Sequence, residues 1–278
     1  MVTGGGGQLG RAFAAEFPDA VVLSRSDLDV TSEPAITDAL KRVRPSALVN
    51  AAAYTAVDAA ESHSQEAYFI NAEAPGLLAS AAARNGVAVV QISTDYVYEG
   101  SKQGPYVEDD PTGPLSVYGK SKLAGERAVR AACSRPLIVR TSWVFGEGNN
   151  FVGSILRAAR TRETLTVVDD QIGLPTYAPD LARGIAALIG AGAEGVFHLA
   201  GGGPAGTWAD VAECALTAAG CAARVERVTT QQYYASAQGA VAPRPSNSEL
   251  NCAKAAELGV RLPPWRDSVA AYACSRAF

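Results

Sequence analysis

The stretch GGGGQLG, residues 4–10, decides the fold of this chain. Its glycines Gly4, Gly7 and Gly10 have the spacing G-x-x-G-x-x-G, and an Ala-rich stretch with helical periodicity follows. A backbone without Cβ atoms turns tightly and lets an anion approach, and the N-terminus of the next helix offers free N–H groups to that anion. A glycine-rich turn without a ligand is the plainer alternative. The strand–turn–helix context favours a loop that binds the pyrophosphate of a dinucleotide.

Only Met1, Val2 and Thr3 precede this loop. The first strand of a dinucleotide-binding unit usually has several residues. We therefore expect that the first strand is very short or that natural residues are missing before Met1.

The rest of the chain alternates short apolar runs with helical patterns, which predicts a parallel sheet covered on both faces. This is the doubly wound α/β architecture of a Rossmann-type fold. The predicted strands are 20–23, 47–49, 87–92, 137–140 and 195–199, and the predicted helices are 8–17, 33–43, 65–85, 117–132 and a last one ending near 161.

The pattern loosens after about residue 145, which indicates a smaller C-terminal lobe for substrate. We expect residues 1–145 to form the dinucleotide-binding domain, with 177–200 returning to it. Residues 146–176 and 201–278 would form the substrate lobe.

Composition excludes several classes of protein. Among 278 residues the net charge is −4, and the 24 Lys and Arg residues are scattered, which argues against nucleic acid as a partner. The five cysteines include no CxxC pair and the two histidines lie far apart, so neither disulfides nor a metal site are expected. No apolar run has transmembrane length and no signal peptide is visible, so we expect a cytoplasmic protein without a membrane partner.

The end of the second predicted strand bears on the choice of cofactor. An acidic residue there usually accepts hydrogen bonds from the adenosine ribose of NAD, whereas an Arg pairs with the 2′-phosphate of NADP. Here the chain has Ser24 and Arg25, which favours NADPH over NADH, although Arg25 could be an ordinary surface residue. Asp29 and Val30 could still reach the adenine or its ribose.

Tyr118 and Lys122 form the pattern Y-x-x-x-K at the start of a predicted helix. Residues four apart share a helix face, so we expect the ammonium to lie beside the phenol and to lower its pKa. Tyr118 would then be a general acid. Thr94 follows a predicted strand, and its hydroxyl would reach the same crevice. The pattern alone also fits a solvated helix start, but three weak signals in the right order favour a catalytic set of Thr94, Tyr118 and Lys122.

With these residues in place, the chain resembles the dTDP-4-dehydrorhamnose reductase family of extended short-chain dehydrogenases. The resemblance covers nearly the whole chain. Its carriers are GQLG at 7–10, NAAAYTAVD at 50–58, STDYV at 93–97, YGKSKLAGE at 118–126, RTSWV at 140–144, NNF at 149–151, DQIGLPT at 170–176 and RPSNS at 244–248.

The resemblance implies an NADPH- or NADH-dependent oxidoreductase that reduces the 4-keto group of a dTDP-4-dehydro-6-deoxyhexose, giving dTDP-L-rhamnose from dTDP-4-dehydro-L-rhamnose. Tyr118 would give the proton to O4. The further residues that it implies for cofactor contacts are Gln8, Leu9, Ala53, Tyr54 and Thr55. Those implied for the substrate are Val57, Thr94, Asp95, Tyr96, Trp143, Asn150 and Arg244, the last two at the diphosphate.

Other functions stay open on the sequence alone. A related nucleotide-sugar 4-ketoreductase would share every one of these motifs. A non-catalytic NADP-binding regulatory subunit of methionine adenosyltransferase would share the fold, but the intact catalytic set argues against it. An epimerase or dehydratase is disfavoured because Tyr96 follows Asp95 where a dehydratase usually has Glu. We expect a monomer or a homodimer.

Overall fold

A six-stranded parallel sheet forms the centre of this computed structural model, which describes residues 1–237 and 239–276. The order across the sheet is β10-β5-β4-β3-β1-β2. The strands are β1 (Val2–Thr3), β2 (Val22–Leu23), β3 (Ala47–Asn50), β4 (Ala88–Thr94), β5 (Leu137–Thr141) and β10 (Gly195–His198). The chain leaves β1 for β2 on one side and returns to β3 on the other. In an open α/β sheet, ligands bind in the crevice at such a reversal, beyond the carboxyl ends of the strands.

Helices cover both faces of this sheet. They are α1 (Gln8–Glu16), α2 (Glu33–Val43), α3 (Val57–Ser62), α4 (Ser64–Tyr68), α5 (Ala74–Arg84), α6 (Val117–Ala132) and α8 (Ala178–Gly190). On one face, Phe13 of α1 and Leu181 of α8 share a core with Val139 of β5. On the other face, Ile36 of α2, Leu78 of α5 and Val129 of α6 belong to a second core. The predicted doubly wound α/β fold is therefore confirmed.

The helix expected over residues 65–85 is present as a continuous helical stretch from Ser64 to Arg84, but it contains a π-helical turn that the sequence did not predict. A π-helical turn, Phe69–Glu73, separates α4 from α5. Pro75 has no N–H to donate to the carbonyl of Asn71 four residues earlier, so regular α-helical bonding fails at this point. Gly125 of α6 packs against that carbonyl, because a Cβ on Gly125 would lie 2.0 Å from the Asn71 oxygen.

The remaining elements form smaller sheets and helices beside the carboxyl edge. The strands are β6 (Val144–Phe145), β7 (Thr164–Val168), β8 (Ile172–Gly173), β9 (Thr176–Tyr177), β11 (Gly206–Thr207), β12 (Arg224–Val228) and β13 (Asn247–Ser248). The helices are α7 (Phe151–Ala158), α9 (Trp208–Ala218), α10 (Thr230–Tyr233), α11 (Ala253–Glu257) and α12 (Trp265–Cys274). Phe145, Val211, Trp265 and Val269 pack in a third core, which also includes Val97 and Leu123.

Two features bear on how the chain is divided. The strand β10 pairs with β5 along its whole length, and α8 packs against α1, so residues 178–198 return to the large sheet. The domain boundaries themselves stay a prediction.

The first strand, β1, has only two residues, yet it lies between β2 and β3 inside the sheet. Within the described ranges, no helix combines the length and apolarity that crossing a bilayer requires.

Candidate active site

The glycine loop folds tightly between β1 and α1. Gly4 has a φ of +77°, and a Cβ on it would lie 2.7 Å from the backbone of Ala51 and Ala52. A Cβ on Gly10 would lie 2.3 Å from the Gly4 carbonyl oxygen. No side chain caps the N-terminus of α1 at Gly7, so its first N–H groups stay available to an anion. The loop therefore fits the pyrophosphate of a dinucleotide.

Gln8 and Leu9 follow with different roles. The side-chain Nε2 of Gln8 donates to the Asn149 carbonyl at 3.2 Å. Its buried Oε1 accepts no hydrogen bond from the described residues, so it can receive a donor from a ligand. The Leu9 side chain is buried in the core beside α8, so only its backbone can face a cofactor.

A carboxylate that sequence reasoning overlooked lies at the turn after β2. Asp27 Oδ2 accepts hydrogen bonds from the backbone N of Ser24 at 2.9 Å and from its hydroxyl at 2.5 Å. These bonds lower the pKa of Asp27. Arg25 is exposed beside it, and a Cβ on Gly5 would lie 3.1 Å from Ser24 N. The turn thus offers a candidate cofactor both a cation and an anion.

Farther along this turn, Asp29 uses its Oδ1 to accept hydrogen bonds from the backbone N and hydroxyl of Thr31, at 2.9 and 2.6 Å. Val30 is half-buried against the core below. The Asp29 carboxylate therefore shapes its own turn first, and its contact with an adenosine stays a prediction.

Asn71, in the π-helical turn, ties the segment after β3 to the catalytic helix. Its Oδ1 accepts from Tyr54 N at 2.8 Å, and its Nδ2 donates to Tyr54 O and to Ser121 Oγ, both at 3.0 Å. Ser121 in turn donates to the Tyr118 carbonyl at 2.8 Å. The predicted cofactor segment of Ala53, Tyr54 and Thr55 is thereby fixed relative to Tyr118. The signal for Asn71 in the sequence was an Asn four residues before a Pro within a helical pattern.

The three predicted catalytic residues meet at the carboxyl edge of the sheet. Thr94 ends β4, and Tyr118 lies in the first turn of α6, which Ser116 caps by accepting from Gly119 N at 3.1 Å. The Thr94 hydroxyl lies close enough to the Tyr118 phenol to lower its pKa. A Cβ on Gly119 would lie 2.2 Å from the Tyr96 carbonyl oxygen, so α6 lies directly against the segment after β4.

The expected effect of Lys122 on Tyr118 was wrong. Burial, and then the negative charge of Asp95, raise the pKa of Tyr118, and the Thr94 hydroxyl opposes them only in part. The Lys122 Nζ donates instead to the Ile92 carbonyl at 2.7 Å. Burial lowers the pKa of Lys122 to about 8, opposed by the charge of Glu126. Tyr118 is therefore a protonated phenol at neutral pH.

Asp95 is a second titratable group in this site, with only 4% of its surface exposed. Its Oδ1 accepts the Thr94 hydroxyl at 2.9 Å. Burial raises the pKa of Asp95 to about 6, opposed by the hydroxyls of Ser248 and Thr94. Ser248 approaches from β13 closely enough to exert this effect, although Asp95 Oδ2 makes no hydrogen bond of normal geometry. Ser248 was missed by sequence reasoning because it is distant from Asp95 along the chain.

A buried ion pair supports β4 and α6 from behind. Arg140 and Glu126, 4% and 2% exposed, join at 2.7 Å, and Glu126 also accepts the Ser93 hydroxyl at 2.5 Å. The other side of the Arg140 guanidinium donates to the Tyr98 hydroxyl at 2.6 Å. Removing one partner from such a buried pair costs about 3–5 kcal/mol. The pair therefore fixes the residue before Thr94 relative to α6.

Tyr96 and Arg244 lie on the side of the site that faces the smaller lobe. The Tyr96 ring meets the Tyr118 ring edge-on, with centroids 5.5 Å apart. Arg244 pairs with Asp58 at 2.7 Å, one residue after the predicted substrate residue Val57 at the start of α3. Burial lowers the pKa of Arg244, but the ion pair with Asp58 and other neighbouring groups outweigh burial and raise the pKa above its ordinary value. Arg244 therefore stays a cation.

Trp143 has an unusual backbone for a large residue. Its φ is +47°, in the left-handed region, which costs on the order of 1–3 kcal/mol for a residue with a side chain. Its ring stacks on Trp208, with centroids 3.7 Å apart and planes 13° from parallel. Trp208 had no signal in the sequence, because its partner is far away along the chain.

Asn150 has a structural role that sequence reasoning did not foresee. Its Oδ1 accepts from Gly153 N at 2.8 Å and so caps α7. Its Nδ2 donates to the Gly146 carbonyl at 2.6 Å and meets the Tyr272 hydroxyl at 2.8 Å. These contacts occupy both N–H groups of the amide, so its contact with a diphosphate stays a prediction that this geometry does not favour.

Comparison with known proteins places this arrangement in a family. Residues 1–276 match the family described as RmlD substrate binding domain. The chain is 41% identical to a dTDP-4-dehydrorhamnose reductase of Sinorhizobium fredii, over 96% of this chain and 94% of that protein. It is 36% identical to the spore coat polysaccharide biosynthesis protein SpsK of Bacillus subtilis, over 100% and 97%.

A solved structure shows the same likeness in three dimensions. The dTDP-4-dehydrorhamnose reductase of Bacillus anthracis, in complex with NADP, superposes with a TM-score of 0.91 at 34% identity, covering 100% of this chain and 97% of that one. The resemblance seen in the sequence motifs is thereby confirmed. Over nearly its whole length, the chain belongs to the dTDP-4-dehydrorhamnose reductase family.

Proposed function

We propose that this protein is an oxidoreductase that reduces the 4-keto group of a dTDP-4-dehydro-6-deoxyhexose with a nicotinamide cofactor. Its substrate would be dTDP-4-dehydro-L-rhamnose and its product dTDP-L-rhamnose. The observation that carries the proposal is that Tyr118 lies beside Thr94, whose hydroxyl donates to the buried Asp95, at the carboxyl edge of the sheet in a chain of this family. The glycine loop lies at the same edge, where a dinucleotide would bind.

The bound cofactor would supply the hydride that reduces C4 of the sugar. The chain supplies the proton. Because its pKa is raised, Tyr118 holds its proton at neutral pH and can release it to O4 as negative charge develops there. Thr94 donates to Asp95, which leaves its oxygen as an acceptor for the Tyr118 phenol or for the substrate.

Lys122 would act on the cofactor rather than on Tyr118. One of its three N–H groups donates to the Ile92 carbonyl, which leaves the others for the nicotinamide ribose. Its pKa of about 8 keeps it mostly cationic at neutral pH. The cation would then assist Tyr118 only in the complex, through the ribose.

The choice between NADPH and NADH depends on the turn after β2. We propose a preference for NADPH through Arg25, which is free to pair with a 2′-phosphate. Asp27, held at the same turn by Ser24, opposes that preference because its carboxylate would repel a phosphate and would suit the ribose hydroxyls of NADH.

Arg244 would bind the diphosphate of the nucleotide sugar. Asp58 holds one edge of its guanidinium, and the Arg244 side chain also lies over the Tyr234 ring at 4.7 Å from its centroid. A guanidinium oriented in this way presents its other N–H groups to a phosphate.

NADPH and nucleotide sugars are polyanions that do not cross membranes unaided, so we also propose that the protein works in the cytoplasm.

The test is a direct assay. Purified protein is incubated with dTDP-4-dehydro-L-rhamnose and either NADPH or NADH, and the loss of reduced nicotinamide absorbance is followed. We expect rapid oxidation that depends on the sugar. Binding of the cofactor without oxidation would refute the assignment and favour another 4-ketosugar or a regulatory subunit.

A further inference from the structure

Trp143 lies on the segment that follows β5 at the carboxyl edge of the sheet. It is two residues after Thr141, the residue of β5 that is paired with Thr94. It also packs on Gly173, because a Cβ on Gly173 would lie 2.7 Å from its indole ring. Gly173 pairs in turn with Ser248, whose hydroxyl approaches Asp95. These pairings place the indole beside Gly173, which neighbours Ser248 on the side of the site where Ser248 approaches Asp95.

The backbone of Trp143 does not choose its left-handed conformation by local preference. A bulky side chain at positive φ is an outlier that surrounding structure must impose. The Trp143 carbonyl accepts from Thr176 N at 3.2 Å, and the neighbouring Ser142 hydroxyl donates to the Leu174 carbonyl at 2.8 Å. These bonds fix the backbone, but they leave the direction of the indole to its side-chain contacts.

Trp208 supplies the contact on the face of the Trp143 ring. The two rings are stacked with centroids 3.7 Å apart, and both residues are half-buried. Since Gly173 also packs against the Trp143 ring, the indole has partners from two separate segments of the smaller lobe.

Trp208 is itself fixed by hydrogen bonds. Its indole Nε1 donates to Gln171 Oε1 at 3.1 Å, and Gln171 Nε2 donates to the Thr230 hydroxyl at 2.8 Å. Thr230 then donates to Asp170 at 2.6 Å. Gln171 is only 6% exposed, so its bond to the indole is partly shielded from water and orients the ring, whereas Asp170 at the end of the chain is exposed.

We propose that Trp208 is a positioning residue for the reduction: it holds the Trp143 indole against Gly173 as one wall of the sugar pocket. This role rests on the proposed function. Trp208 does not touch the reacting atoms, and it acts on the substrate only through the orientation of Trp143. A loosened wall would hold the sugar in more than one orientation, so fewer complexes would be productive.

The test compares Trp208→Phe with Trp265→Phe. These are two of the three tryptophans of the chain. Trp265 is buried in the core of the same lobe, with its Nε1 bonded to the Pro204 carbonyl at 2.8 Å. The control thus removes a hydrogen-bonded indole from the same core, but not the ring that is stacked on Trp143. The readouts are the KM for the nucleotide sugar, the KM for NADPH, kcat, and the circular-dichroism couplet that two stacked indoles produce.

We expect Trp208→Phe to abolish the couplet and to raise the sugar KM about tenfold, the size of an aromatic-pair energy, with the NADPH KM unchanged. Trp265→Phe should lower the Tm but keep the couplet and both KM values. A lost couplet with a sugar KM within about twofold of the wild type would overturn the proposal.

A second variant approaches the same indole from its other side. Gly173→Ala places a methyl group against the Trp143 ring, so it should disturb the couplet and raise the sugar KM even if Trp208→Phe fails to fold. An unchanged sugar KM with a disturbed couplet would again overturn the role. Wild-type protein without any sugar-dependent oxidation would refute the proposed function itself, which is a separate outcome.

Discussion

The cofactor side and the sugar side of this site are built in different ways. The glycine loop, the segment after β3 and the start of α6 each place their groups through short stretches of sequence, as Gly4 and Gly10 do within one turn. On the sugar side, Trp143 depends on Gly173 and Trp208, which come from distant segments. Local motifs therefore place the groups proposed for hydride and proton transfer, whereas tertiary packing shapes the proposed sugar pocket.

Removing the proposed proton donor should have the largest effect on catalysis, and it should leave cofactor binding intact. Tyr118→Phe should lower kcat about 10²–10⁴-fold, the usual contribution of a general acid, while NADPH binding is retained. Steady-state rates and NADPH fluorescence titration measure the two quantities. Tyr96→Phe, which changes the neighbouring ring at 5.5 Å, should cost much less. Equal losses in both variants would contradict a specific role of Tyr118.

The glycine loop allows a sharp comparison within seven residues. Gly10→Ala puts a Cβ 2.3 Å from the Gly4 carbonyl oxygen, so it should destabilise the fold by about 1–3 kcal/mol and weaken NADPH binding. Gly6→Ala meets no atom within 4 Å and should leave the Tm nearly unchanged. Thermal unfolding and cofactor titration test both variants. Similar Tm values for the two variants would contradict the close packing of Gly10 against the Gly4 carbonyl.

Asp95 should make the stability depend on pH. Its pKa is raised from 3.8 to about 6, so the folded state binds this proton more tightly than the unfolded state. The resulting stability is present below about pH 4 and is lost as the pH rises to about 6. Asp95→Asn removes this dependence, so its Tm relative to wild type should increase between these pH values.

Asp27→Asn is the matched control with the opposite sign. The pKa of Asp27 is lowered by Ser24, so its ionised form is favoured in the folded state. Its stabilisation is present above the ordinary pKa and is lost as the pH falls through the lowered one. The effect should be small because the group is exposed. A pH-independent Tm difference for Asp95→Asn would contradict the burial of a titrating carboxyl.

The smallest expected effect concerns cofactor preference. Arg25→Ala should lower the ratio of kcat/KM for NADPH over NADH several-fold, because an exposed ion pair contributes only about 0.2–1 kcal/mol. Asp27→Asn should raise the same ratio by removing a negative charge near the 2′-phosphate. If neither variant changes the ratio, the turn after β2 does not select the cofactor.

Sequence patterns predicted the large sheet well. The helices over 33–43 and 117–132 agree with α2 and α6, because their apolar periodicity and capping signals are local. The π-helical turn at Phe69–Glu73 was not predicted, because it depends on Pro75 and on contact with Gly125 of another helix. Helical spacing alone also misjudged Lys122, whose ammonium turns to the Ile92 carbonyl of β4.

The candidate site could be predicted where its residues lie within short motifs. Thr94, Tyr118 and Lys122 follow from two short motifs, and the structure brings them together. Ser248 and Trp208 could not be found in this way, because their relevance arises only from packing across the fold.

The return of β10 to the edge of the large sheet has a consequence for dissecting this protein. The chain leaves the sheet after β5, forms part of the smaller lobe, and comes back to place Gly195–His198 beside Leu137–Arg140. A fragment truncated near residue 145 would expose the apolar edge of β5, and such unpaired edges recruit other chains into aggregates. The two halves should therefore unfold together, and a protease should find no single cut that releases either half intact.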